Sequence, residues 1–246
     1  MKIATILPFA HLALERFNDY HMALAHLIDA CPEYEKFFRA ASDRGNFVII
    51  DNGVVERGNP MGVAELLSRA WRIKASEVIL PDRIGDAYAT CRNGKKALEQ
   101  IGDLCQAMAV PQGRTLSEWR DCLKVMLDWP VQTIGISRFT RAFAPDRATL
   151  LMQAPELVQS SKDIHLLGCA GDPVEAWNIE VQWPGRVRGI DSGIAAICAQ
   201  EGLLLEPGTI KPAVELNFHA KHLDGNLLRT NVLWWRHRCS GVEVGR

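Results

Sequence analysis

Short, near-continuous apolar runs recur along the chain, and each closes on a carboxylate or carboxamide. The clearest is Phe47–Gly53, Phe-Val-Ile-Ile-Asp-Asn-Gly, whose apolar residues end in an acid, an amide and a glycine. That is the pattern of a parallel strand buried on both faces, and it predicts that Asp51 is delivered to a site rim. The same grammar returns in Glu77–Asp82, Gln106–Gly113 and Arg186–Gly193. Several polar groups are therefore expected to converge at one end of one sheet.

The segments between these runs have helical spacing. Ile3–Phe9 reads as a first strand, followed by a long helical stretch from His11 to Ala41 that Pro32 interrupts. Val63–Ala75 is amphipathic through Leu66, Leu67, Ala70 and Trp71, and Ala87–Leu104 is a further helix. After the Gln112 strand, Thr115 with Glu118 three residues on marks a helix start, and Trp119, Cys122, Leu123, Met126 and Leu127 form its apolar stripe. Strand Thr133–Ser137, helix Ala148–Val158, strand Ile164–Gly168, helix Pro173–Val181 with Asp172 as cap, and strand Val187–Asp191 follow. Seven βα units are legible, and Leu203–Glu206, just before Pro207-Gly208, is the one short candidate for an eighth strand.

This alternation fits a (β/α)8 barrel or a doubly wound sheet alike. The fold class expected is α/β, a (β/α)8 TIM-type barrel closed irregularly or with a degenerate eighth strand. No low-complexity linker divides the 246 residues, so one domain is expected over 1–246, ending in a helical tail at about 218–241 that is rich in Trp, Arg and His.

Composition changes this picture little. With 28 basic and 29 acidic residues the net charge is −1, so any nucleic-acid footprint must be local. The seven cysteines are scattered and lack a Cys-x-x-Cys pair, which points to reduced, packed thiols and a cytoplasmic protein. No apolar run approaches membrane-spanning length, and the first residues lack a secretory signal.

Asp51, Asp82 and Asp191 at three strand ends could supply a nucleophile, a general acid/base and a substrate-reading acceptor. A lone Asp after a strand just as often caps the next helix or turn. Recurrence at three strand ends favours a site.

Six fragments, in order, resemble motifs of the queuine/archaeosine tRNA-guanine transglycosylase superfamily, and in particular its short phage and bacterial relatives that put 7-deazaguanines into DNA. Asp51-Asn52-Gly53 is similar to the family's Asp-Ser-Gly-Gly, Leu80-Pro81-Asp82 to its base-reading Pro/Phe-Asp segment, and Val110-Pro111-Gln112-Gly113 to its Val-Gln-Gly. Thr133-Ile134-Gly135-Ile136 resembles Ile-Gly-Gly, His165-Leu166-Leu167-Gly168-Cys169-Ala170-Gly171 resembles Tyr-Leu-Met-Gly-Val-Gly, and Arg188-Gly189-Ile190-Asp191 resembles Arg-Gly-Ile-Asp. The resemblance covers roughly residues 47–193, with a fainter echo in the tail.

The resemblance implies exchange of guanine for a 7-deazaguanine, such as 7-cyano-7-deazaguanine, through a covalent aspartyl intermediate with retention at the anomeric carbon. It implies Asp51 as general acid/base, Asp82 as acceptor for the purine's exocyclic amine and ring N–H, and Gln112 on the carbonyl edge. Gly135 and Ile136 would bring backbone close to the base, with Leu167 and Gly168 beneath its face and Asn52 alongside. The family's nucleophile is a second acid three residues after the first, where this chain has Ile194, so Asp191 is assigned as nucleophile with Asp51 as rival. The family's aromatic after Asp-Ser-Gly-Gly is replaced by Val55, and Phe9 is the candidate for its stacking role.

Arg83, Arg114, Arg138, Arg141 and Arg147 follow predicted strands and could grip phosphates beside a flipped nucleotide, with a solvated face as the plain alternative. The family's Cys-x-Cys-x-x-Cys zinc spacing is missing, and His219, His222, His237 and Cys239 are read as surface histidines and a packed thiol, so neither metal nor cofactor is expected. The implied partners are nucleic acid, DNA ahead of tRNA, and a free 7-deazaguanine base. The competing expectations are a tRNA enzyme, a carboxylate-dependent hydrolase or transferase of small nucleosides or sugars, and a non-catalytic nucleic-acid-binding relative.

Overall fold

The computed structural model of the chain describes residues 1–169 and 174–239. In order, the elements are β1 (Lys2–Thr5), a 3-10 segment (Phe9–Phe17), β2 (His21–Leu24), α1 (Ala25–Ile28), α2 (Pro32–Asp43), β3 (Val48–Asp51), α3 (Val54–Arg57), α4 (Val63–Arg72) and β4 (Glu77–Ile79). Then come α5 (Ala87–Ile101), β5 (Gln106–Ala109), α6 (Leu116–Leu127), β6 (Thr133–Ser137), a second 3-10 turn (Arg138–Ala142), α7 (Arg147–Gln153) and α8 (Pro155–Gln159). The remainder is β7 (Asp163–Leu167), α9 (Val174–Gln182), β8 (Val187–Ser192), α10 (Ile194–Gln200) and α11 (Gly225–Cys239).

The eight strands form one parallel sheet in the order β1-β8-β7-β6-β5-β4-β3-β2, so the chain is a nearly closed (β/α)8 barrel. The seam falls between β1 and β2. Ile6 on the β1 side bonds β8 through Ser192 O, which turns Ile3 and Thr5 towards the seam. There Asn18 and Asp19 stand in for a strand: Ile3 N donates to Asp19 Oδ2 and Thr5 N to Asn18 Oδ1, both at 2.9 Å. Asp19 N and Asn18 Nδ2 return bonds to Ile3 O and Thr5 O. The edge of β1 is thereby satisfied without a ladder to β2.

The eighth strand is β2, and it lies inside the stretch expected to be helical. All four of its residues, three of them apolar, are buried, so it shows no alternation, and such a run looks the same in a helix turn. Leu203–Glu206 is not a strand; Leu205 N is instead held by buried Asn231 Oδ1 at 2.7 Å. The helix expected over Ala148–Val158 is split into α7 and α8 at Ala154-Pro155, where the proline ring displaces the preceding residue from helical geometry. In the tail only α11 is helical among the described residues; Phe218–Asp224 is not. The proposed cap Asp172, the motif residues Ala170 and Gly171, and positions 240–241 lie outside the described residues.

α6 forms as its sequence predicts. Thr115 Oγ1 accepts from Glu118 N at 3.2 Å, a cap worth about 1 kcal/mol, and Trp119, Cys122, Leu123 and Met126 are buried beneath.

Two apolar layers hold the fold. A large one lies between sheet and helices; a smaller one fills the barrel with Ala4, Tyr20, Met22, Ile49, Ile79, Met108 and Val110. A polar group interrupts the inner layer: Arg188 donates to both Glu77 oxygens, at 2.6 and 3.1 Å, and to Thr133 Oγ1 at 2.8 Å. The β7–β8 register jumps at this point, with Ile164 opposite Val187 but His165 opposite Gly189. The extra residue, Arg188, is a β-bulge, and it allows Val187 and Ile190 both to face the helices while Arg188 and Asp191 both face inward.

Candidate active site

The carboxyl ends of the strands enclose a cavity of about 590 Å³. Active sites of (β/α)8 enzymes sit at this face, because the strand ends fix side chains rigidly while the following loops vary. Asp51 at the end of β3, Asp82 three residues beyond β4 and Asp191 on β8 all line it. Ile6, Met22, Ile79, Val110 and Leu167 supply apolar wall, and Arg138, Phe139, Gly168 and Phe218 also contribute.

Asp82 is held on both oxygens. Asn52 Nδ2 donates to Oδ1 at 2.7 Å and Gln112 Nε2 to Oδ2 at 2.6 Å. The amides are fixed in turn, since Asn52 Nδ2 also reaches Leu80 O, Asn52 Oδ1 accepts from Val54 N, and Gln112 Oε1 accepts from Gly85 N. Burial pushes the Asp82 carboxyl up to about 6, against the pull of the two amide donors towards the anion. Each oxygen has a further lone pair for a ligand N–H.

Asp51 is half-buried and has little support. Gly53 N reaches its Oδ2 at 3.3 Å, made possible by the left-handed φ of +72° at Gly53. Burial raises the Asp51 pKa well above the carboxylate range, and the charges of Glu56, Asp82 and Asp191 raise it further.

Asp191 is 5% exposed and multiply bonded. Gly168 N donates to its Oδ1 and Oδ2 at 3.2 and 3.1 Å, and His165 Nε2 lies 3.2 Å from Oδ1. Gly168 has φ +63°, and a Cβ there would stand 3.2 Å from Arg138 Cδ.

Several expected residues are placed otherwise. Gln112 and Asn52 are buried behind Asp82 and do not line the cavity, so they position the acid rather than read a ligand. Gly135 faces the inner layer, where a Cβ would come within 2.8 Å of Leu167 Cδ1 and 2.9 Å of Met108 Sδ; it makes room for Leu167 rather than for a base. Ile136 points the other way, into the helix-facing core, because strand residues alternate. Phe9 stacks edge-on with Tyr34 and His219 outside the cavity, and it is the neighbouring ring of Phe218 that lines it. Arg83 and Arg114 are exposed beyond the cavity, and Arg147 is buried in an ion pair with Glu175 at 2.8 Å. Arg138 lines the cavity, and Arg141 lines a smaller one beside it.

His26, Glu56, Lys211 and Glu215 also line the cavity but were not anticipated. His26 follows the unrecognised β2, and Lys211 and Glu215 lie in a stretch without regular structure, so neither periodicity nor motif marked them. Burial, with the Arg57 charge, lowers the His26 pKa. Among the described residues no group of three or more His, Cys, Asp or Glu side chains could hold a metal ion, and no helix is long and apolar enough to cross a membrane.

No protein-family model matches the chain, and no curated protein matches it. Similar solved structures include tryptophan synthase from M. tuberculosis in its aminoacrylate- and BRD0059-bound form, at 13% identity and TM-score 0.57 over 99% of this chain and 92% of that one. D-allulose 3-epimerase from Methylomonas sp. matches at 11% identity and TM-score 0.53, over 97% and 98% of the two chains. Phosphoribosyl anthranilate isomerase from Thermus thermophilus matches at 13% identity and TM-score 0.50, over 99% and 100%. At such identities the likeness is one of fold, and function must be argued from the site. The chain is an α/β protein of the (β/α)8 barrel fold, with three aspartates from three strands facing one cavity at its carboxyl end.

Proposed function

We propose that the protein exchanges guanine for a 7-deazaguanine in a polynucleotide, with DNA as the polymer. The observation that carries this reading is the division of labour among the three aspartates. Asp82 is fixed by two amides as an acceptor, Asp51 is pushed by burial towards its protonated form, and Asp191 is oriented by Gly168 N–H and His165.

In the first half-reaction an Asp191 oxygen bonds to C1′ as the C1′–N9 bond breaks. The electron pair leaves with guanine, which takes the Asp51 proton. In the second, the incoming base returns a proton to Asp51, its N9 bonds to C1′, and the Asp191–C1′ bond breaks. Asp191 attacks from the face opposite the leaving base and the incoming base from the face opposite Asp191, so two inversions leave the configuration retained. The apolar wall of Ile79, Val110 and Leu167 suits a planar base, and Asp82 accepts from its N–H edge.

Incubating the protein with guanine-labelled oligonucleotide and 7-cyano-7-deazaguanine should release labelled guanine and add the deazaguanine to the polymer, as nucleoside mass analysis would read. No release from DNA or tRNA would reject the proposal.

One observation favours a second reading. Five carboxylates, Asp51, Glu56, Asp82, Asp191 and Glu215, line the cavity against Arg138 and Lys211, a balance that suits a small neutral nucleoside or sugar better than a polyanion. A small-molecule hydrolase or transferase would act on free nucleosides and lack the steep salt dependence of polymer binding.

A further inference from the structure

Beside the main cavity, at the ends of β6 and β7, lies a smaller one of about 190 Å³ lined by Arg138, Phe139, Arg141, Arg147 and Gly168. It shares Arg138, Phe139 and Gly168 with the main cavity, so the two adjoin. We propose that this arginine-lined recess binds the phosphate of a nucleotide whose base and sugar occupy the main cavity. The proposal deepens the polynucleotide reading and rests on it for the kind of phosphate ester.

The three guanidiniums differ in role. Arg147, 1% exposed, uses Nε and Nη2 on Glu175 and Nη1 on Leu167 O and Ile136 O, at 2.8–3.3 Å. These four bonds pin the ends of β6 and β7, so Arg147 is held by the scaffold and lends the recess its charge. Arg141 shares Glu175 at 3.3 Å but is largely exposed. Arg138 has no carboxylate within ion-pair reach among the described residues, and its guanidinium lies 5.1 Å from the Phe139 ring centroid.

Among the described residues the three guanidiniums lining the recess have one carboxylate in ion-pair contact, Glu175, which Arg141 and Arg147 share, a local surplus of positive charge. Guanidinium forks match phosphate oxygens in geometry as well as charge. The recess is also placed by Gly168, whose N–H holds Asp191 and whose lack of a Cβ lets the Arg138 stem pass. A phosphate seated here neighbours the attacking carboxylate on the one side of the cavity where cations prevail. A polyanion can therefore enter despite the acids elsewhere on the wall.

Calorimetric titration at low salt would test this with inorganic phosphate, 2′-deoxyguanosine 5′-monophosphate, a single-stranded DNA trinucleotide with central guanine, and 2′-deoxyguanosine. Arg138→Gln should weaken the phosphate-bearing probes at least about tenfold, and Arg141→Gln less, while deoxyguanosine binds as before in Arg141→Gln, whose residue lines the recess and not the main cavity. Loss confined to the trinucleotide identifies a phosphodiester, and loss confined to the monophosphate identifies a free nucleotide. Unchanged affinity for every phosphate-bearing probe in both variants, with folding verified by circular dichroism, would overturn the subsite. Phosphate binding needs no base exchange, so arginine-dependent binding without exchange rejects only the transglycosylase reading. Exchange on DNA with an unaltered KM in both variants rejects only the subsite.

Discussion

His165 Nε2 lies 3.2 Å from Asp191 Oδ1 within the barrel, and the surrounding bonds fix the direction of the hydrogen bond between them. Tyr20 Oη also lies near Nε2, at 3.3 Å, but its proton is committed to Ile190 O, and a carboxylate only accepts. Nε2 is therefore the donor to the carboxylate, while Nδ1 is buried with no partner among the described residues. His165 is a positioning residue for Asp191.

Replacing His165 by Phe removes one hydrogen bond to a charged group and keeps those from Gly168. Exchange should fall about 10- to 100-fold, in line with about 1.5–3 kcal/mol for such a bond. Asp191→Asn should form no covalent adduct with guanine-containing DNA, whereas Asp51→Asn should still trap some. Denaturing gels with labelled oligonucleotide distinguish these, and an adduct that persists in Asp191→Asn but vanishes in Asp51→Asn exchanges the two roles.

Gln112 donates to Asp82 but does not reach the cavity, so its effect on ligand binding should be indirect. Gln112→Ala removes a donor that favours the Asp82 anion, and the Asp82 pKa should rise beyond its present value of about 6. Deazaguanine binding, which needs the anion as acceptor, should then lose affinity at a higher pH on the acid side. An unshifted acid limb would remove Asp82 from the base pocket. Stability has the matching sign: a carboxyl raised from 3.8 unfolded to about 6 folded favours the native state below 3.8 and loses that contribution as pH rises through about 6. Asp82→Asn should flatten the stability profile over that window.

Glu77 is fully buried opposite Arg188, and each leaves the other unpaired if removed. Arg188→Met should cost about 3–5 kcal/mol, and the double variant Arg188→Met, Glu77→Leu should cost less than that single change. Urea midpoints at constant m-value would read the difference. Simple additivity of the two single costs would show that the pair is not coupled.

Gly135→Ala drives a methyl group against Leu167 Cδ1 and Met108 Sδ, both flexible side-chain ends. The fold should lose about 1–3 kcal/mol, and Leu167 should be displaced relative to the cavity, weakening base affinity more than the chemical step. A KM unchanged from wild type would place Leu167 away from the base.

The amino-acid sequence by itself determined that strands and helices alternate, that β3 and β8 are buried and carry acids at or next to their ends, and that Thr115 caps α6. Each of these is written in neighbouring residues, as an apolar run, a helical stripe or a cap. Only the tertiary structure decided that β2 is a strand, since a four-residue element buried all round has no periodicity of its own. It likewise decided that Asn52 and Gln112 serve Asp82, because loop backbone beyond a strand end abandons the alternation that predicts facing. The inward phase of Asp191 depends on the bulge at Arg188, and that bulge answers to Glu77, which lies 111 positions away. His26 lines the same cavity as Lys211 and Phe218, though nearly the whole barrel lies between them along the chain. Such contacts arise when packing brings distant segments together, and they leave no local pattern, because nothing about a residue's near neighbours in sequence records which distant side chain it will face.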